Sequence, residues 1–283
     1  MEPERSKMME PERTADGSYT LYVPELDEHY HSVKGALTES QHIFIEMGLK
    51  HSPVPEPHIL EIGLGTGLNA FLTLLTAEET HRKVHYTGIE RYPLEEETLR
   101  KLNYPGIIGK GHEEEYAALH RAGWGEDANI TTWFTLHKIK GDFTQLFGAS
   151  TDSTAETKAE TKAETKTEAE AEAETEAEAE TDCHSGQDSP PMNGETTKGC
   201  KESETGYDII YFDAFAPEKQ PEMWEQTLFD ALYKALNKGG ILTTYCAKGA
   251  VRRMLQAAGF TVERLPGPPG GKREILRATK NMG

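Results

Sequence analysis

The run Ile59-Leu60-Glu61-Ile62-Gly63-Leu64-Gly65-Thr66-Gly67-Leu68-Asn69 constrains this chain more than any other. A short apolar stretch reads as a buried strand. It passes an acid, then three glycines at alternate positions, and opens into a helical pattern. Glycine lets backbone N–H groups approach a ligand without interference from a Cβ. The helix that follows presents unpaired N–H groups and a partial positive charge. Such a unit belongs to a parallel sheet covered by helices.

The spacing narrows the ligand. Dinucleotide sites read G-x-G-x-x-G, with the pyrophosphate on the helix. Here the pattern is E-x-G-x-G-x-G, which resembles the first motif of class I S-adenosyl-L-methionine (SAM) methyltransferases. A tight strand-to-helix turn without a ligand is the alternative. A second strand, Val84–Glu90, ends in an acid 23 residues after Gly67. In doubly wound sheets an acid there accepts hydrogen bonds from ribose hydroxyls. Glu90 suits NAD as well as SAM and does not separate them.

The remaining pattern alternates strands and helices. Helices are expected at Leu68–Ala77, at Leu94–Leu102 (stopped by Pro105), around Glu113–Arg121, at Met223–Leu236 and at Lys248–Ala258. Strands are expected at Thr135–Lys140, Tyr207–Asp213, Ile241–Cys246, Phe260–Leu265 and Arg273–Ala278. Asn237-Lys238-Gly239-Gly240 reads as a helix stop. The fold class is α/β, a Rossmann-like doubly wound and mostly parallel sheet with a C-terminal antiparallel hairpin. Glu61, Glu90, Asp142 and Asp213 then fall at strand ends along one rim.

Two stretches fall outside this pattern. Met1–Arg5 is copied at Met9–Arg13, and residues 1–16 read as a disordered tail. Residues 151–205 hold 16 acids and 5 lysines in a decaying A-E-T-K repeat. Like charges recur at i,i+4 and few large apolar side chains are present, so a mobile acidic insertion is expected. The rest, 17–283, forms a single domain around that insert. No apolar stretch is long enough for a membrane span or a signal peptide. Three cysteines lack C-x-x-C or zinc spacing, so no metal site is expected. A reducing compartment fits, with Cys246 as a small core residue.

Tyr207–Trp224 (YDIIYFDAFAPEKQPEMW) is followed by LFDAL, GGILTTYCAKGAVRRMLQAAGF and GGKREILRAT. With Glu28–Ser32, Gly35–Ser40 and the glycine run, these segments resemble the methyltransferase domain of the tRNA 5-methylaminomethyl-2-thiouridine biosynthesis family. The stretch D-x-F-x-P-x-K-x-P-x-M-W, Asp213 to Trp224, carries the specificity. Some members are fused to a flavin-dependent oxidoreductase, and this chain is expected to match the stand-alone form. The resemblance implies a roughly seven-stranded sheet and SAM-dependent N-methylation of the 5-aminomethyl group of a wobble (2-thio)uridine. It implies the tRNA anticodon stem-loop as partner and a cytoplasmic protein, with functional links to enzymes that install the aminomethyl group and to a separate flavin oxidoreductase. Glu61, Gly63, Gly65, Gly67 and Asn69 would hold the methionine end of SAM, Glu90 the ribose, and Asp142 the adenine. Asp213 would meet the substrate amine as the catalytic residue. Tyr30, Glu39, Phe215, Pro217 and Lys219 would line the substrate side, while Trp224 is expected in the core.

The last 50 residues carry a net charge of +8 in a chain of −18. Arg252, Arg253, Lys272 and Arg273 in that segment are candidate phosphate contacts. An NAD-dependent dehydrogenase, an aminopropyltransferase-like small-amine enzyme and a non-catalytic RNA-binding module remain the alternatives.

Overall fold

The structure, a computed structural model, describes residues 9–109, 111–148 and 206–283, all within one compact unit. The acidic stretch 151–205 and residues 1–8 lie outside the described residues.

The chain opens on a small antiparallel sheet, β1 (Pro11–Arg13), β2 (Tyr19–Val23) and β3 (Glu28–His29). The expected tail is thus ordered from Met9 onward. Pro11, Glu12 and Arg13 pair with Leu21, Thr20 and Tyr19, and Met9 is buried in the core. A strand three residues long has no periodicity to detect; its partner defines it.

Helix α1 (Ala36–Ser40) runs on into a π-helical stretch, Gln41–Leu49, under the main sheet. Arg82 donates to the carbonyls of Leu49 (2.8 Å), the last helical residue, and Val54 (3.0 Å from Nε), beyond it.

The main sheet comprises β4 (His58–Ile62), β5 (Val84–Glu90), β6 (Asp127–Asn129), β7 (Phe134–Lys140), β8 (Tyr207–Phe212), β9 (Leu236–Thr244), β10 (Thr261–Pro266) and β11 (Glu274–Thr279). Their spatial order is β10-β11-β9-β8-β4-β5-β7-β6. The five central strands are parallel, and β6, β10 and β11 are antiparallel. The eighth strand beyond the expected seven is counted with the edge strand β6, too short to signal itself. The chain order runs outward from β4 to β7 and returns at β8, on the other side of β4. That reversal opens a crevice at the carboxyl ends of β4 and β8, where α/β sheets bind ligands.

Strand alternation splits the core. Ile59 and Tyr211 face one side with Phe44, Phe71 and Tyr86. Leu60, Ile62 and Phe212 face the other, against Trp224, Phe229 and Leu255. The helices are α2 (Leu68–Thr80), α3 (Glu96–Leu102), α4 (Tyr104–Ile108), α5 (Glu113–Arg121), α6 (Phe143–Gly148), α7 (Gln226–Ala235) and α8 (Gly249–Ala257). Three expectations are corrected. Pro105 opens α4 rather than merely stopping α3, because a missing N–H is harmless in a first turn. Met223 and Trp224 belong to a 3₁₀ turn, Pro221–Trp224, ahead of α7. Residues 237–240 lie inside β9, where the register jumps from Leu236 to Ile241 against Tyr207 and Ile209. The glycines therefore form a bulge, with Gly239 at φ 76° donating to the Lys280 carbonyl.

Candidate active site

The crevice holds a cavity of about 700 Å³. Its lining comes from the β3–α1 segment, the glycine loop, the ends of β5, β7 and β8, and the C-terminal hairpin.

Gly63 and Gly65 both have left-handed φ, 89° and 49°. A Cβ on Gly63 would sit 2.8 Å from the Asp213 carbonyl oxygen, and one on Gly65 would sit 2.9 Å from the Tyr30 ring. Both glycines therefore permit close approaches that build the floor and one wall of the cavity. Gly67 packs against His120 instead and does not line the cavity.

The loop's N–H groups hold its shape. Gly63 and Leu64 donate to the Ile89 carbonyl, and Gly67 to that of Leu64. The Gly65 N–H donates to Glu90 Oε2 at 2.8 Å. The turn's amides at these positions are therefore committed within the protein. Glu90 Oε1 also accepts from the Tyr92 N–H at 2.7 Å. These bonds fix Glu90 at the cavity wall.

Asp213 stands one residue beyond β8, within the cavity lining. Its Oδ2 accepts from Asn69 Nδ2 at 2.8 Å. The same amide group donates to Glu61 Oε1, also at 2.8 Å. Burial pushes Asp213 up to about 7, against the lowering effect of the Asn69 bond. Glu61 is fully buried, and burial pushes its carboxyl well above the usual range. Neither Glu61 nor Asn69 lines the cavity; Asn69 links Glu61 to Asp213, which does. Asn69 is likewise buried at 2 % exposure.

Asp142 lines the cavity but is committed elsewhere. Its Oδ1 accepts from the Thr144 N–H and hydroxyl (2.9 and 2.7 Å), and its Oδ2 pairs with Arg91 at 2.7 Å. It thus caps α6, a role the expected adenine contact did not include.

In the same lining, the rings of Tyr30 and Phe215 meet edge-on at 5.1 Å. Trp224 is buried, as expected, and donates to the Phe215 carbonyl at 2.8 Å. Pro217, Lys272 and Arg273 line the mouth. Lys219 lies just outside it, paired with Asp27 at 3.2 Å. Arg252 and Arg253, on α8, do not reach the cavity, and Arg252 Nε is buried. The expected basic patch thus divides into a mouth pair and a remote pair.

Sequence reasoning missed the anchoring of the loop itself. His31 Nε2 lies 2.8 Å from Thr66 Oγ1, and the Tyr116 hydroxyl donates to the Thr66 carbonyl at 3.0 Å. Burial pushes His31 down to about 4, so it serves as a neutral ring. No local pattern signals these contacts, because each comes from a distant segment.

Residues 191–281 match the family described as S-adenosyl-L-methionine-dependent methyltransferase. The chain is 29% identical over 288 residues to the tRNA 5-methylaminomethyl-2-thiouridine biosynthesis bifunctional protein MnmC of Magnetococcus marinus, covering 96% of this chain and 35% of that protein. The protein of the same name from Cupriavidus metallidurans is also 29% identical, covering 95% and 33%. The chain thus spans about a third of the length of these relatives. In fold it is similar to MnmC2 from Aquifex aeolicus, with a TM-score of 0.60, 22% identity, and coverage of 97% of this chain and 70% of that one. Fold and sequence agree in these likenesses: the chain has a Rossmann-like fold, its residues 191–281 match the S-adenosyl-L-methionine-dependent methyltransferase family, and along nearly its whole length it resembles the MnmC proteins.

Proposed function

We propose that this chain methylates the 5-aminomethyl nitrogen of a wobble uridine or 2-thiouridine in tRNA, giving the 5-methylaminomethyl form. The observation that carries this reading is Asp213, a fixed carboxylate at the cavity wall whose pKa of about 7 suits proton exchange near neutrality.

SAM, when bound, supplies an electrophilic methyl group on a sulfonium. Gly63 and Gly65 would admit its amino-acid end, and Glu90 would accept its ribose hydroxyls. A cavity with Asp213, Glu39 and Glu90 on its walls suits a cationic cofactor. The nucleophile has to be a free amine, because an ammonium has no lone pair. Asp213 orients the amine and stabilises the positive charge that develops on nitrogen as the methyl group arrives. It also accepts the proton that the amine has to lose, directly or through water. Asn69 fixes the carboxylate's rotamer, so this orientation precedes binding. Alignment of this kind contributes up to about 7–11 kcal/mol, and proton transfer about 10²–10⁴-fold.

Tyr30 and Phe215 are suited to hold an unstacked base, since single-stranded RNA is read by aromatic side chains. Lys272 and Arg273 at the mouth would meet the anticodon-loop phosphates. The enzymes that install the aminomethyl group, and a flavin oxidoreductase, are the functional partners on this reading, and the cytoplasm is its setting. Among the described residues no helix is long and apolar enough to cross a membrane.

The test is mass spectrometry of wobble nucleosides from undermethylated tRNA incubated with SAM and the protein. Conversion of 5-aminomethyl to 5-methylaminomethyl nucleoside supports the reading, and an unchanged nucleoside pool with saturating SAM refutes it.

A further inference from the structure

At the cavity mouth, Glu39 and Lys272 join the first helix to the C-terminal hairpin. Lys272 Nζ lies 2.7 Å from Glu39 Oε1 and 4.3 Å from the centre of the Tyr245 ring. The two ends of this ion pair are unequal. Glu39 is buried at 8 % exposure, and its Oε2 accepts from the Ser32 N–H at 2.9 Å. Tyr245 is fixed too, because its hydroxyl donates to the carbonyl of Ala214, next to Asp213, at 2.8 Å. Lys272 is the exposed party: its side chain is 41% exposed, against 11% for that of Glu39, on the turn between β10 and β11. All four of Glu39, Tyr245, Asp213 and Lys272 line the same cavity.

A fixed, nearly buried anion beside a fixed aromatic face is the chemistry that recognises an ammonium group. A buried carboxylate also needs a cation, and stripping it of one is strongly destabilising. We propose that Glu39 and Tyr245 form an ammonium subsite for the acceptor's aminomethyl group, with Lys272 as an internal occupant that leaves when the acceptor arrives. Asp213 lies near enough for the Glu39 charge to raise its pKa and the Lys272 charge to lower it, so an arriving ammonium would take over the role of Lys272. The subsite holds the protonated amine, and Asp213 meets it as the proton leaves. Departing Lys272 faces the mouth, where an RNA phosphate is its natural new partner. This inference rests on the proposed amine acceptor and deepens it.

The probe is benzylammonium, with benzyl alcohol as its neutral counterpart, titrated by calorimetry into the SAM-saturated protein. Lys272→Met and Lys272→Gln should each bind benzylammonium about tenfold more tightly than the unaltered protein, a change of about 1.4 kcal/mol. Benzyl alcohol should show no such gain, and adding Glu39→Gln to either variant should abolish it. Equal affinity in the unaltered and Lys272 variants, or a gain that survives Glu39→Gln, overturns the proposal. SAM titration of each variant confirms folding and identifies the source of the ammonium. A loss of SAM affinity of about tenfold in Glu39→Gln would assign the subsite to the cofactor's own amino group and overturn the acceptor assignment. The nucleoside assay on unaltered protein is separate, so failure of the tRNA reading is distinguishable from failure of the subsite.

Discussion

The side-chain amide of Asn69, in the first turn of α2, donates at 2.8 Å to the carboxylate of Asp213, 144 residues later in the chain. This bond ties the cofactor helix to the end of β8. Asn69→Ala should destabilise the fold by about 1–3 kcal/mol, because it leaves Glu61 and Asp213 without their shared donor. Urea unfolding measures this, and a double-mutant cycle with Asp213→Asn should show coupling of about 0.5 kcal/mol or more.

Glu61→Gln should be nearly silent. Burial favours the protonated form of Glu61, and Gln keeps both the shape and an acceptor for Asn69. SAM affinity within about threefold of the unaltered protein, under about 0.7 kcal/mol, is the expected result. A larger loss would restore the direct contact that the family resemblance implies.

Asp213→Asn should stabilise the protein at alkaline pH. The folded carboxyl titrates at about 7, above its ordinary 3.8. Above pH 7 the fold holds an anion in a place that disfavours it. That destabilisation fades as pH falls from about 7 to about 4, where both states are protonated. The variant should be about 1–3 kcal/mol more stable at pH 8, and the difference should vanish near pH 4. Thermal melts across this range provide the check.

Gly63→Ala should be worse than Gly65→Ala. The first puts a methyl group 2.8 Å from a backbone carbonyl, and the second 2.9 Å from a ring that can turn. Loss of SAM binding is expected for Gly63→Ala. For Gly65→Ala a partial loss should accompany the displaced Tyr30. Calorimetric titration with SAM separates the two.

Arg273→Glu should weaken tRNA binding and lower the salt dependence by about 0.7 in log–log slope for each single-strand phosphate that the side chain no longer neutralises. Arg252→Glu with Arg253→Glu should have the smaller effect, because neither side chain lines the cavity.

Local chemistry was the legible part of this fold. The glycine loop, Glu90 and Asp213 sit where a strand meets a loop, and strand-end position is readable from alternation and a few breakers. Asp142 was placed at the right strand end, but nothing local shows that Thr144 and Arg91 also bind its oxygens. That Glu61 is fully buried and does not line the cavity was not legible in the motif, because its surroundings come from Asn69 and the neighbouring strands. The paired strand at Pro11–Arg13 was hidden because its sequence copies a polar repeat and only Tyr19–Leu21 makes it a strand. The His31–Thr66 bond spans 35 residues, beyond the reach of any local pattern.

The central claim is that Asp213 acts on the amine and not on the cofactor. Single-turnover transfer of labelled methyl from SAM to tRNA bearing 5-aminomethyluridine tests it, with unaltered protein and Asp213→Asn compared at saturating SAM. The account predicts a rate about 10²–10⁴-fold lower in the variant with SAM affinity nearly unchanged. Turnover close to that of the unaltered protein would contradict it.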